Sequence, residues 1–268
     1  MTEAPAAFRH VEVEREGAVA RVRLVRPQVR NAFDDVLIDE LMRAFLSFVD
    51  DAATRVVVLS GAGPVFCAGA DVAWMRRAGG YSRAENEADA EAMARMLRAI
   101  DTCPKPVVAV ARGAAIGGGV GLLAAADVAL AADDTVFSLA EVKLGILPSV
   151  ISPFVIRAIG ARQARRLFLT GHRFDAVEAL RIGLVHAAAP PEALDALAQR
   201  EVAALLTSGP EAVETAKRLI AEVAGKSPDE AMPLTVRTIA QRRASEEARE
   251  GLSAFLEKRP PSWAPGTS

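Results

Sequence analysis

The sequence predicts a mixed α/β core followed by a helical C-terminal part, built as layers around one core with no low-complexity linker between them. Three observations predict it. Apolar runs of strand length, Arg55 to Ser60 and Val107 to Ala111, alternate with stretches whose apolar residues recur at helical spacing. Both of those strands run into glycine-rich loops that open onto helices. From about residue 152 the signal is nearly all helical, punctuated by Pro190-Pro191, Ser208-Gly209-Pro210 and Ser227-Pro228. The division this implies is a core over 1–190 and a helical region over 191–268.

Taken in order, residues 10 to 25 alternate apolar and polar in two runs about Gly17, which reads as a hairpin. Residues 34 to 50 place Val36, Leu37, Leu41, Phe45, Phe48 and Val49 at helical spacing. After the strand at 55–60 comes the loop Gly61-Ala-Gly-Pro-Val-Phe-Cys-Ala-Gly-Ala-Asp71, with Asp71 placed to cap a short helix through Trp74 and Met75. Residues 82 to 101 read as a helix that Pro104 and Pro106 stop. Gly113-Ala-Ala-Ile-Gly-Gly-Gly-Val-Gly-Leu-Leu-Ala-Ala-Ala-Asp127 follows the second buried strand and reads as a glycine turn opening an apolar helix. Val128 to Ala132 and Thr135 to Ser138 read as short strands, so a strand, strand, helix unit recurs.

Composition narrows the function classes. The chain has 268 residues, 51% of them apolar, enough to bury a sizeable core. Its formal net charge of -2 lacks the basic surplus that nucleic acid binding needs. Cys67 and Cys103 have no metal-ligand spacing, no metal site is expected, and so few thiols fit a reducing, cytoplasmic setting. The start, MTEAPAAFRH, has no cationic stretch followed by an apolar run, so no signal peptide is expected. The apolar stretch from Val107 to Ala132 carries Arg112, Asp127 and several glycines and reads as strand, turn, helix, strand, with no membrane span.

The glycine loops carry the chemistry. A strand that ends in a glycine turn and opens a helix presents unpaired backbone N–H groups with the positive end of the helix dipole behind them. Such a place stabilises an anion or a developing oxyanion, and glycine lets a substrate approach the backbone. Close packing of helix on strand is the other reading of the same glycines. The spacing is neither G-x-G-x-x-G nor G-x-x-x-x-G-K-S/T, which disfavours a nucleotide phosphate cradle. Two such loops facing each other would supply one N–H apiece, the requirement of an oxyanion hole. His10, His172 and His186 are scattered, and each reads as a core or surface residue. Tyr81 reads as a pocket or loop-anchor residue, and Arg76 and Arg77 as solvated charges or holders of a distal carboxylate.

In combination, Phe66-Cys-Ala-Gly-Ala-Asp71, Lys105-Pro-Val-Val-Ala-Val110, Gly113 to Asp127, Ala140-Glu-Val-Lys-Leu-Gly-Ile-Leu-Pro148, Leu169-Thr-Gly171, Ala176 to Val185 and Glu250 to Arg259 resemble the crotonase, or enoyl-CoA hydratase/isomerase, superfamily across almost the whole chain. The resemblance implies a ClpP/crotonase-like spiral of ββα units, a C-terminal helical trimerisation region, and a homotrimer or dimer of trimers. It implies an acyl-CoA substrate, with coenzyme A as part of the substrate and no metal or redox cofactor. It assigns the thioester oxyanion to the N–H groups of Ala70 and Gly118 and the acid/base role to Glu141. Ala68, Gly69, Asp71 and Val72 would run along the CoA, and Gly117 and Pro148 would also bind the substrate. Arg30 would meet a CoA phosphate, and Lys258 would reach the CoA of a neighbouring subunit or serve as a solvated helix-end charge.

The reaction implied is hydration of a 2-enoyl-CoA in fatty acid, branched-chain amino acid or isoprenoid degradation. Δ3-Δ2 isomerisation and non-catalytic acyl-CoA binding are the alternatives. Hydratases of the family use a second glutamate where this chain has Gly121. The stretch Gly69-Ala-Asp-Val-Ala-Trp-Met75 and the shortened segment after Pro148 resemble a bacterial subgroup of 3-methylglutaconyl-CoA or isohexenylglutaconyl-CoA hydratases with glycine there too. On that resemblance, Gly121 opens room for a branched or dicarboxylic acyl group, and a glutamate there would repel the substrate carboxylate.

Overall fold

The computed structural model describes residues 8–266. The first seven residues, on which the absence of a leader was read, lie outside them.

The hairpin about Gly17 is β1 (Val11–Glu16) and β2 (Val19–Leu24), paired antiparallel. Every later neighbour in that sheet is parallel: β3 (Val56–Gly61), β4 (Val107–Ala111), β6 (Val128–Ala132) and β9 (Ala187–Ala189), in the order β1-β2-β3-β4-β6-β9. A parallel sheet is covered on both faces, and its strands read as unbroken apolar runs. Alternate residues of β3 and β4 accordingly enter two cores. Val57, Leu59 and Ala109 face the larger one, and Val56, Val58, Val108 and Val110 face the smaller.

The larger core is closed by α1 (Asp35–Leu46), α3 (Arg83–Asp101) and α4 (Gly118–Ala125), and the smaller by Leu194, Leu197 and Ala198 of α7 (Leu194–Thr207). α1 ends at Leu46, short of the expected 50, and its start is capped by Asp34. Ser82 and Glu85 form a capping box at the start of α3. Asp71 caps α2 (Val72–Ala78) through the N–H groups of Ala73 and Trp74.

A second, three-stranded sheet sits beside the first, in the order β5-β7-β8: β5 (Ala114–Ile116), β7 (Val136–Ser138) and β8 (Arg173–Phe174). The chain therefore winds twice through a strand of the large sheet and then a strand of the small one. The glycine stretch begins with β5 before it becomes the helix α4.

The segment beyond residue 152 is not purely helical, because β8 and β9 complete the two sheets there. The helices of that half are α5 (Ser152–Thr170), broken in backbone angle at Gly160 (φ 73°), α6 (Ala176–Arg181), α8 (Pro210–Val223), α9 (Pro228–Arg243) and α10 (Glu246–Glu257). No helix among the described residues is long and apolar enough to cross a membrane.

Candidate active site

The two glycine loops are joined directly. Cys67 N–H donates to the Ala114 carbonyl at 3.1 Å, and Ile116 N–H donates to the Cys67 carbonyl at 3.0 Å. A Cβ on Gly119 would meet the Cys67 carbonyl at 2.6 Å, and one on Gly69 would meet the Ile116 carbonyl at 3.0 Å, so glycine at both positions permits this approach.

Phe33 fixes the orientation of the first loop. Its N–H donates to the Gly69 carbonyl at 2.7 Å, and its carbonyl accepts from Asp71 N–H at 2.8 Å. Backbone groups of an extended segment alternate in direction, so the Ala70 N–H between those bonds points away from Phe33. Among the described residues, that N–H has no protein acceptor. Gly118 is the first residue of α4, where an N–H has no intrahelical partner, and its N–H is likewise unbonded within the protein. Ala70 and Gly118 both line one cavity of about 800 Å3.

Glu141 reaches the same cavity through strand pairing. β5 and β7 run parallel with Ile116 opposite Ser138, and Gly117 N–H donates to the Ser138 carbonyl at 2.8 Å. Three residues after Ser138, Glu141 opens a 3-10 turn, Glu141–Leu144. Its carboxylate then lies over Gly117, whose backbone (φ 50°) no side chain would tolerate there: a Cβ would fall 2.7 Å from Glu141 Oε1. Glu141 Oε2 is buried and has no hydrogen-bond partner within the protein. Burial raises the Glu141 carboxyl above the ordinary glutamate range, opposed by a bond from its own N–H.

Asp71 is held differently. Burial would raise its carboxyl, but the N–H groups of Trp74 and Ala73 together with the Arg26 guanidinium outweigh that and hold it below the usual range. Arg26 is buried, and its Nη2 reaches Asp34 Oδ2 at 2.9 Å and Asp71 Oδ2 at 3.1 Å. Cys67 is buried in the first loop, which pushes its thiol up to about 12 and keeps it from acting as a thiolate.

The structure gathers Ala68, Gly69, Ala70, Gly117, Gly118, Glu141 and Pro148 around the cavity. Five other residues expected at the site lie off its walls. Arg30 is exposed, and its carbonyl accepts from Ala68 N–H at 2.9 Å. Val72 is exposed on α2, and the Asp71 carboxylate is committed to its cap and to Arg26, so Asp71 serves the loop's shape. Lys258 ends α10 with left-handed backbone, exposed to solvent.

Gly121 requires a correction. It opens no room for an acyl branch: a Cβ there would lie 3.0 Å from Ile151 Cβ and nearer still to its Cγ2, and Ile151 is only 2% exposed. Arg77 pairs with Asp35 at 2.7 Å, and neither Arg76, Arg77 nor Tyr81 lines the cavity. The sequence reading missed Phe33, Met93, Asp89 and Ile151 in the walls and Arg26 behind them. Among the described residues, no group of three or more His, Cys, Asp or Glu is placed to hold a metal ion.

Two glycine turns, zipped together so that two unpaired amides and one half-buried acid share a cavity, sit on a spiral of strand–strand–helix units, which is the crotonase architecture. The chain belongs to the enoyl-CoA hydratase/isomerase family, whose model matches residues 14–266. It is similar to the crystal structure of an enoyl-CoA hydratase from Shewanella pealeana, with a TM-score of 0.92, 39% identity and 96% of each chain covered. Pseudomonas aeruginosa AtuE has a TM-score of 0.92 at 37% identity, covering 96% of this chain and all of that one. The crotonyl-CoA hydratase of Syntrophomonas wolfei is 31% identical over 94% of this chain and 97% of its own length.

Proposed function

We propose that the chain is an enoyl-CoA hydratase that adds water across the 2,3 double bond of a 2-enoyl-CoA. The observation that carries this reading is Glu141, a half-buried carboxyl with a raised proton affinity and a buried oxygen unbonded within the protein, in the cavity that Ala70 and Gly118 line. The Ala70 and Gly118 N–H groups hold the thioester oxygen. Water attacks C3 as its proton passes to the Glu141 carboxylate, and the double-bond electrons move onto the held oxygen as an enolate. Glu141 then returns the proton to C2, and the enolate collapses to the saturated 3-hydroxyacyl thioester. One good oxyanion donor contributes about 3 kcal/mol to such a step. Proton transfer and amide polarisation supply the whole chemistry, so this reading needs no metal or redox cofactor.

A second reading is favoured by Ile151. Its apolar side chain lies beside Gly121 on the cavity wall, which leaves one acid next to the amides, and one acid suffices to move a proton in Δ3-Δ2 isomerisation. Absorbance separates the readings. A hydratase bleaches the conjugated 2-enoyl thioester and incorporates solvent oxygen, whereas an isomerase generates conjugation from a 3-enoyl-CoA. Binding without either change would leave an acyl-CoA binder and sink both.

Of the branched and dicarboxylic acyl groups that the subgroup resemblance implies, we favour the branched one. The walls near the amides are apolar, with Phe33, Met93, Ile116 and Ile151. Arg30 and Lys258 are assigned to CoA phosphates, the latter across subunits. Exposed apolar residues Met232, Val236 and Ile239 on α9 and Leu252, Phe255 and Leu256 on α10 support assigning the 191–268 region to assembly of a trimer or dimer of trimers. A cytoplasmic setting fits the low cysteine count.

A further inference from the structure

One charge in the cavity wall plays no part in the reaction proposed above. α3 lies along the cavity and lines it with Met93, Ala90, Asp89 and Asn86, spaced three and four residues apart and so on one face. Met93 is the nearest of these to the oxyanion turn, since a Cβ on Gly118 would meet its Cε at 2.9 Å. Asp89 lies one helical turn further out, about 5–6 Å along α3. Its Oδ1 accepts from Trp74 Nε1 at 3.2 Å, which ties the carboxylate between α2 and α3. Among the described residues no cation pairs with it.

Two cations lie nearby, and neither forms an ion pair with Asp89 among the described residues. Arg77 is engaged by Asp35. Lys143 also lines the cavity, and its stem is held against Gly171, with Cε 3.0 Å from where a Cβ would stand. Burial, with the Asp35 charge adding to it, raises the Asp89 carboxyl above the usual aspartate range, opposed by the Trp74 bond and Arg77. A wholly apolar acyl tail would strip water from this carboxylate and return nothing, which is costly for a charged acceptor. A tail ending in a carboxylate would set like charges together.

We propose that Asp89 is a specificity residue: a hydrogen-bond acceptor at the distal end of the acyl cavity that selects a 2-enoyl-CoA bearing a hydroxyl group about four bonds beyond C3 and rejects one ending there in a carboxylate. Four bonds of about 1.5 Å span the helical turn between Met93 and Asp89. The proposal rests on the hydratase reading for its kinetics and on the cavity alone for its binding.

The test uses three matched thioesters: hex-2-enoyl-CoA, 6-hydroxyhex-2-enoyl-CoA and the analogue with a carboxylate at C6. The wild-type protein should favour the hydroxyl chain over the plain one by about fivefold or more in kcat/KM, and the plain one over the carboxylate by about tenfold or more. Asp89→Asn, which keeps an acceptor for Trp74, should collapse the hydroxyl-to-carboxylate ratio by about tenfold. Calorimetric binding of the three saturated thioesters should follow the same order. If none of the enoyl thioesters is hydrated but the binding order holds, the hydratase reading fails and the subsite stands. Equal affinity for the hydroxyl and carboxylate chains in the wild-type protein, or an Asp89→Asn variant with unchanged ratios, would overturn the proposal. The wild-type order decides the matter if the variant does not fold.

Discussion

Ile151 fills the volume beside Gly121. A Cβ on Gly121 would fall 3.0 Å from Ile151 Cβ and 3.7 Å from Leu97 Cδ2, inside a helix whose residues are all buried. Overpacking at such a site costs about 1–3 kcal/mol, more than the roughly 1 kcal/mol that alanine gains over glycine in a helix. Gly121→Ala should therefore lower the melting temperature at fixed protein concentration, and Gly121→Glu should lower it further by forcing a carboxyl against apolar side chains. In an Ile151→Ala background the cost of Gly121→Ala should largely vanish. The double-mutant cycle should give a coupling of about 1 kcal/mol or more, and additive effects would show that the contact does not decide the residue.

Glu141→Gln tests the acid/base assignment most directly. The amide keeps the side chain's shape over Gly117 but cannot exchange a proton at neutral pH. Hydration of a 2-enoyl-CoA should fall by about 10^2–10^4 in kcat, the usual contribution of a positioned acid/base. Affinity for a saturated acyl-CoA, measured by calorimetry, should change little, because the thioester oxygen is assigned to the amides. An unchanged kcat would remove Glu141 from the mechanism.

The raised Glu141 carboxyl also sets a pH dependence. Water attack needs the ionised form, so kcat/KM should fall as pH drops through the folded-state value, above the ordinary glutamate value of about 4.3. Stability runs the other way. The folded protein holds this proton more tightly than the unfolded chain does, so the contribution is present at low pH and is lost as pH rises through the raised value. Glu141→Gln should therefore be more stable than the wild-type protein at neutral pH, by a margin that shrinks toward pH 4. Denaturant midpoints across that range check it, and a margin independent of pH would contradict the assigned burial effect.

The parts of the fold that follow from local period were legible in the sequence. The hairpin about Gly17, the apolar strands β3 and β4 and the Asp71 cap each depend on residues within a few positions of one another. The missed strands β5 and β9 are three-residue segments of mostly alanine, with neither alternation nor β-branched density. They are extended because neighbouring strands offer unpaired edges, which is not local information.

The site divides the same way. The glycine loops announce unpaired amides, but Glu141 reaches Gly117 only through the pairing of β5 with β7. Ile151 stands 30 positions from Gly121, and no pattern links them. Asp89 looks like one more acid in a helix start that already holds Glu85 and Glu87; only its place four residues before Met93 sets it on the inward face.

Arg26 carries the last prediction. Its guanidinium bridges the caps of two helices, Asp34 of α1 and Asp71 of α2, and donates from Nη1 to the Ala32 carbonyl at 2.5 Å. Between those points lie Phe33 and Ala70, whose pairing aims the Ala70 N–H at the cavity. Arg26→Met would leave two largely buried carboxylates facing each other with no cation. Breaking a buried pair in this way costs about 3–5 kcal/mol. The loop would relax away from Phe33, and the Ala70 N–H would lose its direction.

On the proposed assignment of the Ala70 N–H to the thioester oxygen, the donor is felt most in the transition state, so kcat per folded active site should fall by about tenfold or more while KM moves little. Arg26→Lys keeps the charge but lacks the fork that reaches two carboxylates and a carbonyl, and should recover stability more fully than kcat. A residue that only held the fold together would change the melting temperature of both variants and leave kcat, measured well below that temperature, at the wild-type value.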